Sequence, residues 1–451
     1  ASAGGRSLVV YTEELQNSMH GKVPCAQCHS GVDPSKQRAC ETITNKVDCS
    51  VCHKGQGDEY KTSTHGKLAQ EHNPNAPTCT LCHGTHAVLG KKDVSSVTFP
   101  INVPRLCASC HADAGKAAAI YQGPQHHIDI NYNESIHGKG LLESGLVVTA
   151  TCTSCHTAHR ALPASDPAST VNRGNIAVTC WQCHQGVYEK FVRSIHYSAT
   201  DNTGKFPVCL DCHSSHTIKR TDQSQFQFEI LNVCGKCHAA IAETYFNTFH
   251  GKGSELGFVG TAKCHDCHGS HDIAPVTDPK SHLSRDNIVG TCRKCHSGAT
   301  RQFTGYLTHA THTDAHKYPL VFWTFWLMTS LLVGTFVIFG LHTLLWIPRS
   351  LQMRRAHQLQ PEQLEGKQFL RFPLLYRVLH AVMIISFLTL AMTGMTLKFA
   401  YTRWAGVLSY LLGGFAVSGI LHRLAAVTLL TIFAVHVWDL VRNKKQQLGG
   451  W

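Results

Sequence analysis

The sequence predicts a mainly α-helical protein with much loop and almost no sheet, divided into a repeat-built first part and a membrane part of three apolar helices. Three observations carry this expectation. The 451 residues include 21 cysteines and 32 histidines. Twenty of the cysteines fall in ten C-x-x-C-H motifs, all within the first 296 residues. Beyond residue 318, three apolar stretches follow, each long enough for the ~20 residues that cross a hydrocarbon core.

Charge is segregated in the same way. Residues 319–451 hold 12 of the 41 Lys and Arg but only 3 of the 29 Asp and Glu, so the last third carries most of the net +12. That pattern fits membrane flanks and gives no support to a nucleic-acid partner.

The motifs are CAQCH at 25–29, CSVCH at 49–53, CTLCH at 79–83, CASCH at 107–111, CTSCH at 152–156, CWQCH at 180–184, CLDCH at 209–213, CGKCH at 234–238, CHDCH at 264–268 and CRKCH at 292–296. Zinc ribbons do not set a histidine beside each C-x-x-C, and disulfide scaffolds show no fixed unit of this kind. In C-x-x-C-H the two thiols can form thioether links to a porphyrin, and the histidine can ligate its iron. The reading is therefore ten c-type haems. The thioether cysteines are Cys25, Cys28, Cys49, Cys52, Cys79, Cys82, Cys107, Cys110, Cys152, Cys155, Cys180, Cys183, Cys209, Cys212, Cys234, Cys237, Cys264, Cys267, Cys292 and Cys295. The proximal ligands are His29, His53, His83, His111, His156, His184, His213, His238, His268 and His296. Cys40 is left over as a spare thiol.

The motifs alternate in a repeat of about 55 residues. One class ends at its histidine. The other adds a histidine three residues on: His86, His159, His216 and His271. If each motif lies on a short helix, positions three apart share a face. That histidine then cannot reach the far side of its own haem and must ligate a neighbour. A third element, S/T-x-H, supplies His20, His65, His137, His196 and His250, and LTH at 307–309 supplies His309. These make ten distal candidates for ten irons. His72, His126, His127, His265, His282, His312 and His316 remain, and any can replace a candidate. With only Met19 among the methionines before the membrane part, bis-histidine iron is expected, which lies lower in potential than Met/His iron. Residues 1–316 thus read as a decahaem cytochrome c domain of repeated two-haem units, with haem in place of a conventional core.

Residues 317–451 read as a transmembrane cytochrome b domain with spans at about 319–347, 373–397 and 419–441. Arg349, Arg354, Arg355, Lys367 and Arg371 lie between the first two spans, and Arg442, Lys444 and Lys445 follow the third. The positive-inside rule puts those segments in the cytoplasm and the c domain outside. The start ASAGGRS has the small residues of a processed end, and covalent haem attachment suits the extracytoplasmic side. His422 and His436 are 14 residues apart, about four helical turns and ~21 Å along one face. That spacing suits b-type haem, with His380 or His342 as partner to His436 and His422 lacking a histidine at its depth. His357, in the cytoplasmic loop, reads as a bystander.

The C-x-x-C-H, C-x-x-C-H-x-x-H and S-x-H-G-K motifs, followed by YRVLHAVMIISFLTLAMTG (376–394) and LHRLAAVTLLTIFAVHVW (421–438), resemble fusion cytochromes of metal-reducing and related bacteria. In those, a multihaem c domain is joined to a dihaem b domain in the inner membrane. The second half is similar to cytochrome b subunits of formate dehydrogenase, hydrogenase and thiosulfate reductase, with R-x-x-H…L-x-x-T-G and a following two-histidine helix. The resemblance implies a bacterial inner-membrane protein with its c domain periplasmic. It would carry electrons between the quinone pool and a periplasmic or extracellular acceptor through one or two b haems and ten c haems. Such b domains usually have at least four spans, so the partner of His422 is expected from a further helix, from another membrane subunit, or from His312 or His316 at the outer boundary. Two other readings stand beside this one: an electron-transfer subunit with the quinone site on another subunit, and a multihaem enzyme acting on a small nitrogen or sulfur compound, which needs an iron with an open face.

Overall fold

The computed structural model describes residues 10–31, 46–113, 115–118, 120–121, 123–197, 205–356 and 373–442, with two short strands, Ser2–Ala3 and Arg6–Ser7, paired antiparallel. Cys40, His357, Lys367, Arg371, Lys444 and Lys445 lie outside these residues. The described chain is mainly helical. It forms two compact units, residues 1–226 with 268–287, and residues 227–267 with 288–451. This division does not fall at the composition boundary near 316. Within the second unit the helix Phe249–Glu255 packs against the membrane helices, Phe249 and Phe258 both meeting the ring of Phe415 (5.2 and 5.3 Å between centroids).

The repeat is made of one-turn to four-turn helices. Its few buried aliphatic side chains, Val103, Leu141, Leu162, Ile176 and Leu231, are joined by fully buried serines such as Ser63, Ser96, Ser135 and Ser169. Those serines are local hydrogen-bonding devices. Ser63 and Ser135 cap helices by accepting from the amides of Gly66 and Gly138 at 3.0 Å, and Thr248 does the same for Gly251 at 3.1 Å. The glycine after the histidine of S/T-x-H-G is forced by contact. A Cβ at Gly66, Gly138 or Gly251 would lie 1.8–2.2 Å from the carbonyl oxygen of Tyr60, Tyr132 or Tyr245. Each cap thus holds the S/T-x-H histidine at the start of a helix wedged against the one before it.

Backbone bonds then tie repeat to repeat. The residue just before the S/T-x-H histidine donates its amide to the carbonyl two residues past a later C-x-x-C-H-x-x-H: Met19 to Val88 past the first such motif, Thr64 to Ala161, Ile136 to Ile218 and Ile195 to Ile273 each past the second one downstream, at 2.7–2.9 Å.

Among the described residues, three helices are long and apolar enough to cross a membrane: α1 (Pro319–Arg355), α2 (Leu374–Lys398) and α4 (Gly414–Arg442). A short helix, α3 (Arg403–Leu411), fills the connection between the last two. α1 runs past Pro348 to Arg355, so Arg349, Arg354 and Arg355 stand on its last turns rather than in a loop. The extension follows from helix-favouring Leu, Gln, Met and Arg after the proline. α2 and α4 pack antiparallel through small buried residues, Ser386, Thr393 and Thr396 against Ser418 and Ala425, as close helix approach in lipid requires. Two contacts set the register. Thr393 meets His422, and the Tyr376 hydroxyl donates to the Asp439 carboxylate. Both residues of the second pair lie 17 positions from their counterparts in the first, so one register serves the whole contact.

Candidate functional site

The C-x-x-C-H-x-x-H motifs do not carry both histidines on one helix. Helices Cys79–His83, Cys152–His156, Cys209–His213 and Cys264–His268 each end at the motif histidine. In all four the next residue has positive φ: Gly84 (79°), Thr157 (62°), Ser214 (62°) and Gly269 (82°). This left-handed step turns the chain away, so the second histidine leaves the helix and projects toward another motif. Thr157 and Ser214 have ψ of 162° and −175°, a region that is essentially glycine's and costs other residues about 1–3 kcal/mol. Thr157→Gly is therefore expected to raise stability by about 1 kcal/mol after glycine's larger chain entropy is set against the relieved strain, measured by denaturant melts.

The histidines come together in twos. His29 faces His86, His83 faces His159, His156 faces His216 and His213 faces His271, with ring centroids 6.0–6.2 Å apart. In the same way His20 faces His53, His65 faces His111, His137 faces His184 and His250 faces His296, at 6.0–6.2 Å. Every pair joins one motif histidine to one distal candidate. The partner of a C-x-x-C-H-x-x-H histidine is the motif two places earlier in sequence, not the one beside it. The two classes also differ in orientation. The first four pairs have interplanar angles of 8–32°, the second four 39–67°. His196 belongs with His268 to the first unit, and His238 and His309 to the second.

Burial holds the imidazoles of His65, His83, His111, His137, His213, His216, His250, His271 and His309 below the usual histidine value, and takes His156 down to about 4. At pH 7 these rings are neutral, the form that offers a lone pair to a metal. Several have their Nδ1 engaged, which leaves Nε2 for a ligand. His216 Nδ1 lies 3.2 Å from Gln125 Oε1, His271 Nδ1 3.3 Å from Ser270 Oγ and His309 Nδ1 3.0 Å from Thr244 Oγ1.

The remaining histidines make other contacts. His127 pairs with Asp113, His126 meets the ring of Tyr121 edge-on, and His282 and His265 face Asp272 and Asp266. His312 packs on Phe325, the amide of His316 donates to Asp314, and His72 takes a left-handed backbone (φ 56°).

None of the twenty described cysteines is in a disulfide. Leading cysteines of successive motifs come within hydrogen-bonding reach: Cys49 with Cys79, Cys107 with Cys152, Cys180 with Cys209 and Cys234 with Cys264. Among the described residues, no three or more His, Cys, Asp or Glu converge as a bare-ion site.

Sequence reasoning missed the tyrosine five residues before the S/T-x-H histidine. Tyr60, Tyr132 and Tyr245 each donate to a carbonyl two residues ahead of the next motif's first cysteine (Pro77, Ala150, Ala262; 2.6–2.9 Å). Its repetition at fixed offset was the available signal.

In the membrane part, the α2–α4 register sets His380 level with Val435, one residue from His436. Their rings do not touch; His436 instead meets Tyr376 edge-on at 6.1 Å. His422 Nδ1 lies 2.8 Å from the Thr393 hydroxyl. His342 stands on α1 in a surface cleft of about 290 Å³ lined only by α1 residues, among them Trp346 and Arg354. Compared with known proteins, the chain matches no family model, no curated protein and no solved structure.

Proposed function

We propose that this chain is a membrane-anchored multihaem cytochrome that carries electrons between the membrane quinone pool and an acceptor outside the cytoplasmic membrane. The observation that carries the reading is the set of eight imidazole pairs, uniform at 6.0–6.2 Å. With metal–nitrogen bonds of about 2 Å and each ring centre about 1.1 Å beyond its nitrogen, two imidazoles on opposite sides of one metal have centroids about 6 Å apart. Rings packed against each other for contact alone have no reason to keep that one spacing eight times. A C-x-x-C in each pair supplies the covalent anchor.

Haem would contribute reversible one-electron iron chemistry; the chain contributes the rest. The paired cysteines would attach it and the paired histidines would ligate its iron, while serine caps, tyrosine bonds and repeat-to-repeat amide bonds hold those side chains in place. Contacts between leading cysteines of successive motifs support placing neighbouring cofactors side by side in sequence order. Two histidines facing each other in eight pairs would leave no open face on a metal held between them, which weighs against the reading of an enzyme for a small nitrogen or sulfur compound. The basic flanks of the spans support a cytoplasmic position for the α1–α2 connection and a periplasmic c domain.

One observation favours the second reading, an electron-transfer subunit with its quinone site elsewhere. No residue in the most apolar window of α1 is buried, so most of that surface is open to lipid or to a membrane partner. The deciding experiment is anaerobic stopped-flow mixing of the purified protein with a menaquinol analogue, following b and c α-bands separately. Reduction of b before c supports a quinol-oxidising protein. Reduction of both by dithionite and of neither by quinol assigns the quinone site to another subunit.

A further inference from the structure

A hydroxyl has one proton to donate. That of Thr393 is already directed down its own helix, to the carbonyl of Thr389 at 2.7 Å and, more weakly, of Leu390 at 3.3 Å. A carbonyl can only accept, so the hydroxyl's remaining capacity is as an acceptor. The contact with His422 Nδ1 at 2.8 Å must therefore run the other way, with the imidazole N–H donating to Thr393 Oγ1. The backbone of α2 in this way fixes the tautomer of a side chain on α4. His422 carries its proton on Nδ1, and Nε2 keeps its lone pair.

The surroundings make that direction stable. Thr393 is buried, with 5% of its surface exposed, so no water competes freely for its oxygen. Gly394 follows it, and even a built Cβ there would come no closer than 3.9 Å to His422 Cε1, so the edge of the ring between its nitrogens is uncrowded. His422 itself is exposed in the helical hairpin.

We propose that Thr393 is a positioning residue: it presents Nε2 of His422 to the iron of a b-type haem and, by accepting the Nδ1 proton, makes the imidazole a more basic ligand. The proposal rests on reading His422 as a b-haem ligand. Histidines that bind metals are oriented by an acceptor on the other ring nitrogen, and the strength of that acceptor tunes the metal. A more basic ligand favours oxidised iron, so loss of the acceptor moves the potential upward.

The test uses the full-length protein purified in detergent and four variants, Thr393→Val, Thr393→Ser, Thr389→Val and His422→Ala. It reads b-haem content by pyridine haemochrome, b-band redox titration and low-temperature EPR. His422→Ala should lose one b haem. Thr393→Val should keep it, with new g-values and a potential raised by up to a tenfold change in the redox equilibrium, about 59 mV for one electron. Thr393→Ser should restore both wild-type signals. Thr389→Val, which removes a hydroxyl directed at the Ile385 carbonyl one turn away, should change neither. Loss of haem from Thr393→Val but not from Thr393→Ser also supports the role. Unchanged titration and g-values in Thr393→Val, or haem loss from valine and serine variants alike, overturns it and leaves His422 as ligand. Full b-haem content with unchanged spectra in His422→Ala overturns the ligand reading beneath it.

Discussion

Replacing His216 by methionine is expected to raise the potential of one c haem in ten by on the order of 0.2 V and to leave the other nine where they were. The expectation follows from geometry that separates His216 from the many other histidines. Its ring faces the motif histidine His156 at 6.2 Å with an interplanar angle of 8°. Its Nδ1 is held by Gln125, so Nε2 points to the shared axis. Burial keeps both rings neutral, His156 more than any other. Methionine would exchange a basic imidazole for a thioether, a soft and weak donor that favours reduced iron. The same substitution at His126, next to Gln125 in the chain but edge-on to Tyr121, should shift nothing. His216→Ala should instead give a high-spin EPR signal from an iron with one open face. A redox titration unchanged by His216→Met would mean that the pair is packing, and would count against the other seven pairs as well.

The distribution of legible and illegible features has a physical basis. Membrane spans and motif classes are periodic or chemically rare, so hydropathy and cysteine spacing reveal them without a fold. The expectation that a C-x-x-C-H-x-x-H histidine turns to another motif rested on a shared helix face, whereas each helix ends at the motif histidine. Which ring it faces was not legible. The reach from His86 back to His29 depends on the positive φ of Gly84, and the equivalent steps at Thr157 and Ser214 use residues that give no warning of such a backbone. Before His137 the sequence offers His126 and His127 as spare candidates, yet the residue that meets His216 is Gln125, an ordinary amide placed there by the return of its loop. Repeated tyrosines and the buried serines were visible as letters, but their role is a hydrogen bond to a carbonyl, which any residue has. Such bonds carry no sequence signature on the accepting side.

In the membrane part, His380→Ala and His436→Ala are each expected to remove the same single b haem, with the double variant losing no more than either alone and c-haem content staying constant. The argument is the register of α2 and α4. The Tyr376–Asp439 and Thr393–His422 contacts are separated by 17 residues on both helices, about 25 Å of common rise, so the two helices do not slip relative to each other between them. Within that frame His380 is level with Val435, and neighbouring His436 is the only other histidine at that level on either helix. His342 is the competing partner, but its cleft is bounded by α1 alone. A non-covalent haem loses most of its hold with either axial ligand, so effects through one shared haem cannot add, whereas losses at separate sites would. Pyridine haemochrome assay of b against c haem reads this directly. If the double variant loses twice as much b haem as each single one, the histidines serve different haems and His342 returns as the partner of His436. If His380→Ala loses none, the levelling of His380 with His436 is a feature of helix packing alone. The hydrogen bond from Tyr376 to the Asp439 carboxylate, a charge-assisted contact within one turn of both histidines, sharpens the comparison. Tyr376→Phe should keep the haem while loosening the register, and so lower its thermal retention rather than its stoichiometry.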